Sequence, residues 1–141
     1  MKIIIANNQK TYFEAMSIRG RVFVDEQHVP SAIEIDDLDK KCLHVLLYDE
    51  ANEPKAVLRL IEKEHYYKVG RVAVLKEDRS KGYGKAIMLG IEKLEPVKNK
   101  GQLQLDAQLS AVGFYEALGY QLEGEPFLEA NIWHRHAIKN L

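Results

Sequence analysis

The residues best suited to chemistry lie in the run Arg79-Ser80-Lys81-Gly82-Tyr83-Gly84-Lys85. Three cations surround two glycines, and glycine lacks the Cβ that would hold a ligand away from the backbone. The apolar stretch Val69–Leu75 precedes the run, and Ile87, Met88, Ile91 and Leu94 follow it at helical spacing. A strand, a glycine turn and a helix form an anion cradle, because the first amides of a helix have no partner within it. A bland reading stands beside this one: an ordinary turn whose glycines serve geometry alone. Two phosphate-binding patterns are excluded. A Walker loop needs Gly at position 79 and Ser or Thr at 86, where Arg79 and Ala86 stand. The dinucleotide fingerprint needs a small residue at 87, where Ile87 stands.

Other reactive side chains are scattered. Six carboxylates, Asp25, Glu26, Glu34, Asp36, Asp37 and Asp39, follow Val22 with no Lys or Arg between them. Such a run reads as a solvated loop or as a patch that draws in a cation. Glu26 is a pairing partner for Arg19 or Arg21. His134 and His136 alternate on one face of the last strand, a spacing open to two metal ligands. A site normally takes three or more, and no third Cys or His joins them in a motif, so no metal is expected. Trp133 points the other way and reads as core. Cys42, the only cysteine, stands beside Leu43 and reads as packing. It rules out an intramolecular disulfide and points to a reducing cytoplasm.

Positioning these groups takes a whole domain. The 141 residues suit a single domain over 1–141, with no repeat or linker. Hydrophobic residues at 46% and charged residues at 29% describe a soluble globular chain. With 20 basic against 21 acidic residues, nothing favours nucleic acid. No apolar run nears the ~20 residues of a membrane span. Met1–Ile5 is too short for a signal sequence and reads as a strand.

Periodicity predicts strands at 2–6, 42–48, 55–62, 65–75, 102–107, 120–123 and 130–138. The strand 65–75 is apolar on both faces, hence central, with Val69, Arg71, Ala73 and Leu75 on one face. A capping box at Thr11-x-x-Glu14 opens a first helix that ends before Pro30. A second helix runs from the glycine turn to about Asn99, weakened at Pro96, and a third over 110–118 stops at Gly119. A turn is expected at Gly124-Glu125-Pro126. The order β, α, β, β, β, α, β, α, β, β implies an α+β fold of helices on a mixed, mostly antiparallel sheet.

Arg79-x-x-Gly82-x-Gly84 after a strand resembles the acyl-CoA-binding motif of the GNAT superfamily of N-acyltransferases. Ile18-Arg19-x-x-Val22-Phe23-Val24-x-Glu26-Gln27, Pro30, Glu34-x-Asp36-x-x-Asp39 and His44 resemble a subgroup of small stand-alone bacterial N-acetyltransferases, and Ala111-x-x-Phe114-Tyr115-x-x-Leu118-Gly119-Tyr120 matches the family's pattern after the CoA site. The resemblance implies a sheet splayed between strands 65–75 and 102–107 to admit acyl-CoA. It implies acetyl-CoA as donor and an amine of a small molecule or an exposed amino group as acceptor. Val72, Ala73, Val74, Arg79, Ser80, Lys81, Gly82, Tyr83, Gly84 and Lys85 would hold the donor, with the amides near Val72–Leu75 polarising the thioester carbonyl. Tyr115 would protonate the leaving thiolate, where the sequence alone reads it as a core tyrosine. Of the carboxylates Glu34 ranks first as general base, ahead of Asp36 and Glu26, with His44 and His134 as secondary candidates. The alternative is a catalytically silent module that binds acyl-CoA. Trp133's strand is a candidate for pairing in a homodimer.

Overall fold

The computed structural model describes residues 1–141, folded around one seven-stranded sheet. Its strands are β1 (Lys2–Ile5), β2 (Leu43–Tyr48), β3 (Pro54–Glu62), β4 (Tyr67–Val74), β5 (Gln102–Gln108), β6 (Gln121–Glu129) and β7 (Ile132–Asn140). Their spatial order is β1-β2-β3-β4-β5-β7-β6, antiparallel at every step except β4 to β5. The helices are α1 (Gln9–Arg19), α2 (Ser31–Glu34), α3 (Tyr83–Ile91), α4 (Glu95–Lys100) and α5 (Val112–Ala117). This is the expected α+β architecture.

Helices cover both faces of the sheet, so its middle strands are apolar on both sides. On one face Leu58, Leu60, Leu103 and Leu105 pack under Ile87, Met88 and Ile91 of α3. On the other, Leu46, Val57 and Ala73 pack under Ala15 and Ile18 of α1 and Phe23 beyond it. None of the helices is long and apolar enough to cross a membrane.

Several boundaries differ from expectation, each for a local reason. Asn8, not Thr11, caps α1: its Oδ1 accepts from the Thr11 amide at 2.9 Å, while Thr11 Oγ1 accepts from the Asn8 amide. Glu14, expected in that box, accepts instead from Lys10 and the Tyr48 hydroxyl. Beyond Arg19 the helix widens into π-type turns over Gly20–Glu26. The expected long helix after the glycine turn is two, with Pro96 in the first turn of α4, where its missing N–H is harmless. β6 runs through Gly124–Pro126 with a register shift, and the reversal falls at Ala130-Asn131, both at positive φ (50° and 62°). Trp133 is not core: it is 52% exposed, opposite Leu128.

Half of the acidic run is not solvated: Glu34 and Asp39 are buried and Asp36 half-buried, while Asp25, Glu26 and Asp37 stay exposed. Arg19, fully buried, donates to Glu34 Oε1 from Nε at 2.7 Å and to Asp39 Oδ1 from Nη1 at 2.7 Å. Arg59 of β3 reaches Asp36 at 2.7 Å and Asp39 at 2.9 Å. Burial pushes the Asp39 carboxyl up, but hydrogen bonds from Arg19, the Asp36 amide and Arg59 outweigh it and hold the group well below the usual carboxylate range. This cluster fastens α2 and the turn after it to α1 and β3.

Candidate active site

The parallel seam between β4 and β5 is short. Only Tyr67, Lys68 and Val69 pair with Leu103, Gln104 and Leu105, after which the strands diverge. A bulge in β4 accompanies the divergence: Val57 faces Ala73 and Arg59 faces Gly70, leaving Arg71 and Val72 opposite Leu58 alone. Arg71 sits in the left-handed region at φ 53°, a conformation costing a non-glycine residue on the order of 1–2 kcal/mol. Its guanidinium donates to the carbonyls of Glu34 at 3.0 Å and Ile33 at 3.2 Å, which hold it over the opening. The bulge also breaks the alternation expected along this strand. Val69, expected on the face of Ala73 and Leu75, packs with Val72 and Val74 in the α3-side core, while Ala73 and Leu75 turn to the α1 side as a pair.

A cavity of about 800 Å³ fills the opening. Its lining includes Val72, Val74 and Tyr83 from the α3 face and Phe23, Val29 and Ile132 from the α1 face, so it passes through the sheet. Every expected donor-site residue lines it except Lys81, which lies outside and pairs with Asp78 at 3.6 Å.

The glycine turn leads into α3, as expected. Gly82 stands before α3 at φ 88° and ψ 4°. A Cβ there would meet nothing within 4 Å, so the backbone conformation, not crowding, calls for glycine. No side chain caps α3, which leaves its first amides free. Arg79 differs from the simple picture of a cation awaiting phosphate. Its two terminal nitrogens meet Glu26 at 2.6 and 2.7 Å, and Nε donates to the Val74 carbonyl at 3.0 Å. Glu26 therefore pairs with neither Arg19 nor Arg21, and the Arg79 hydrogen bonds lower its pKa.

Tyr115, on α5, is 8% exposed and lines the cavity. Its ring meets Phe114 and Tyr120 edge-on, with centroids 5.0 and 5.8 Å away. Burial pushes its phenol up to about 12. The hydroxyl makes no hydrogen bond within the protein, yet it is not sealed off as the Tyr120 hydroxyl is. It is a proton donor without a partner at the wall of a cavity.

Glu34 also borders the cavity but is 2% exposed, with Oε1 on Arg19 and Arg71 Nε at 3.6 Å. It serves as an anchor for two guanidiniums. His134 is more open. Its Nδ1 lies 2.7 Å from the Ile132 carbonyl, which can only accept, so Nδ1 carries the proton and Nε2 keeps its lone pair in the neutral ring. The ring stacks on Phe127 and lines the cavity. Across the register from it, Gln108 donates to Gln27 at 2.9 Å and ties β5 to the end of the first helix. His136 lies beside Asp106 at 2.7 Å, with Lys68 3.1 Å from the same carboxylate. His44 is elsewhere, buried against Tyr12 with a ring nitrogen on the Asp39 carbonyl.

Asp39, Cys42 and His44 converge within 4.8 Å of one another. The Asp39 oxygens are taken by two guanidiniums and an amide, and burial raises the Cys42 thiol. The trio is packing around an ion pair. Three residues of the cavity wall, Arg71, Asp106 and Gln108, were not singled out as site residues in the sequence. A lone arginine in an apolar strand was the signal for Arg71.

Comparison with known proteins agrees with this fold. Residues 7–141 match the family model for the acetyltransferase (GNAT) domain. The chain is 38% identical over 141 residues to the uncharacterized N-acetyltransferase YjcF of Bacillus subtilis, covering 99% of this chain and 100% of that one. A putative N-acetyltransferase from Lactobacillus plantarum superposes with a TM-score of 0.91 at 27% identity, over 99% of this chain and 97% of the other. An aminoglycoside 6'-N-acetyltransferase complexed with coenzyme A shares the fold at a TM-score of 0.75 and 17% identity, over 99% and 97% of the two chains. The chain belongs to the GNAT acetyltransferase family.

Proposed function

We propose that this protein transfers the acetyl group of acetyl-CoA directly to a primary amine, on a small molecule or an exposed amino group. The observation that carries the reading is the uncapped start of α3 behind Gly82, set beside a sheet that opens past Val69. Its amides suit the donor pyrophosphate, and Lys85 adds charge at the same wall. The pantetheine arm follows Val72–Val74 into the opening, where β4 amides meet the thioester oxygen.

The amine nitrogen attacks the thioester carbonyl carbon, and a tetrahedral intermediate forms. Its collapse breaks the carbon–sulfur bond, and the Tyr115 hydroxyl donates a hydrogen bond to the departing thiolate, which leaves as such and takes its proton from solvent. The proton that the amine gives up goes to His134 Nε2, directly or through one water. His134 replaces Glu34 in this role because Glu34 Oε1 is committed to Arg19. Glu34 then acts as a positioning residue that holds α2 at the cavity wall. Tyr115, with an unpartnered hydroxyl at that wall, favours an enzyme over a silent acyl-CoA-binding module. Calorimetry with acetyl-CoA, ATP and NAD tests the donor. Acetyl-CoA should bind at least roughly tenfold more tightly than either nucleotide, a difference of ~1.4 kcal/mol. Tighter binding of ATP or NAD ends the reading.

A further inference from the structure

The α1-side half of the cavity, where an acceptor would sit, carries a definite chemical character. Four carboxylates line it: Glu34, Asp36, Asp106 and Glu129. Glu34 is bound by Arg19, Asp36 by Arg59, and Asp106 by Lys68 and His136. Glu129 alone makes no ion pair. Four cations, Arg59, Lys63, Lys68 and Arg71, line the same half, so its formal charge balances. An acceptor with several ammonium groups would have to break existing pairs to find anions, and the freed guanidiniums would then be uncompensated.

Apolar surface is in better supply. Ile33 on α2 is 50% exposed and Leu38 in the next turn is 42% exposed, and both line the cavity. Ile61 of β3 and buried Val29 add to the same wall. Arg71, held on the carbonyls of Ile33 and Glu34, keeps α2 and its isoleucine at the opening. Large apolar side chains left in water around a polar site belong to a ligand that covers them.

We infer that the acceptor is a primary monoamine on an apolar alkyl or aryl body, seated against Ile33, Leu38 and Ile61. Polyamines and aminoglycosides are then poor acceptors. The inference rests on the acetyl-transfer reading. The test measures CoA release with 2-phenylethylamine, spermidine and kanamycin, with the acetyl-CoA dissociation constant followed in parallel. The expected result is a kcat/KM for 2-phenylethylamine at least about tenfold above the other two, within the range that a few apolar groups supply. An Ile33→Ser, Leu38→Ser variant, altered only at exposed positions, should lose roughly tenfold with 2-phenylethylamine and keep its spermidine rate within about threefold. Equal or better turnover of spermidine or kanamycin overturns the inference and leaves acetyl transfer standing. Tight acetyl-CoA binding with no CoA released by any of the three overturns both.

Discussion

Replacing Tyr115 with Phe removes one oxygen and leaves the ring, its edge contacts with Phe114 and Tyr120, and helix α5 in place. The hydroxyl has no protein partner, so no buried group is orphaned. The stability change should stay within ~0.5 kcal/mol, or about 2 °C in Tm. The effect on turnover follows from the acidities. An alkyl thiol ionises near ~8.5, whereas burial holds Tyr115 at about 12. Full proton transfer to a free thiolate would run uphill by roughly 5 kcal/mol. The hydroxyl therefore works as a hydrogen-bond donor whose grip tightens as charge builds on sulfur. Bonds to charged partners contribute ~1.5–3 kcal/mol, which predicts a fall in kcat of about ten- to hundredfold. The assay is kcat at saturating amine, with acetyl-CoA affinity measured by calorimetry and expected to be unchanged. Turnover at the wild-type level in Tyr115→Phe would refute the donor role and leave Tyr115 as packing.

The remaining predictions concern the base and the buried ion cluster. His134→Ala should lower kcat by ~10²–10⁴-fold with acetyl-CoA affinity intact, and added imidazole should restore part of the rate. An unchanged rate would return the proton to another group. Asp39 has a folded pKa depressed below its unfolded value, so its contribution is complete above pH ~4 and fades as pH falls toward the folded pKa. Wild-type Tm should therefore drop steeply from pH 4 to 2. Asp39→Asn, about 3–5 kcal/mol less stable at neutral pH because Arg19 and Arg59 lose an anion, should fall less steeply there. Parallel acid profiles for the two proteins would remove Asp39 as the titrating group.

The sequence made local features legible and distant partnerships obscure. Strand alternation, the turn at Gly82 and Gly84 and the helix behind it are written within a dozen residues, and the fold and the uncapped start of α3 follow from them. The cluster around Arg19 is different. Its anions stand 15 and 20 positions away and its second cation comes from β3, so the acidic run looked uncompensated and therefore solvated. Glu34 was accordingly expected to be open to substrate. Arg79 likewise met Glu26 across 53 positions. The bulge at Arg71 reverses side-chain facing, with Gly70 beside it as the one local sign, and it explains why alternation put Val69 and Ala73 on one face. Trp133 failed as core because an edge hairpin has only one covered face.

That exposed tryptophan has an optical consequence. Trp133 is the only indole in the chain, and 52% of it already meets solvent in the folded state. Its emission will change little when the protein unfolds, so fluorescence is a weak reporter of global stability. The same indole stands between Ile132 and His134, both of which line the cavity. Alternating with them, it looks out from the opposite side of β7, so its light reports on that outer face of the hairpin better than on the loss of the fold.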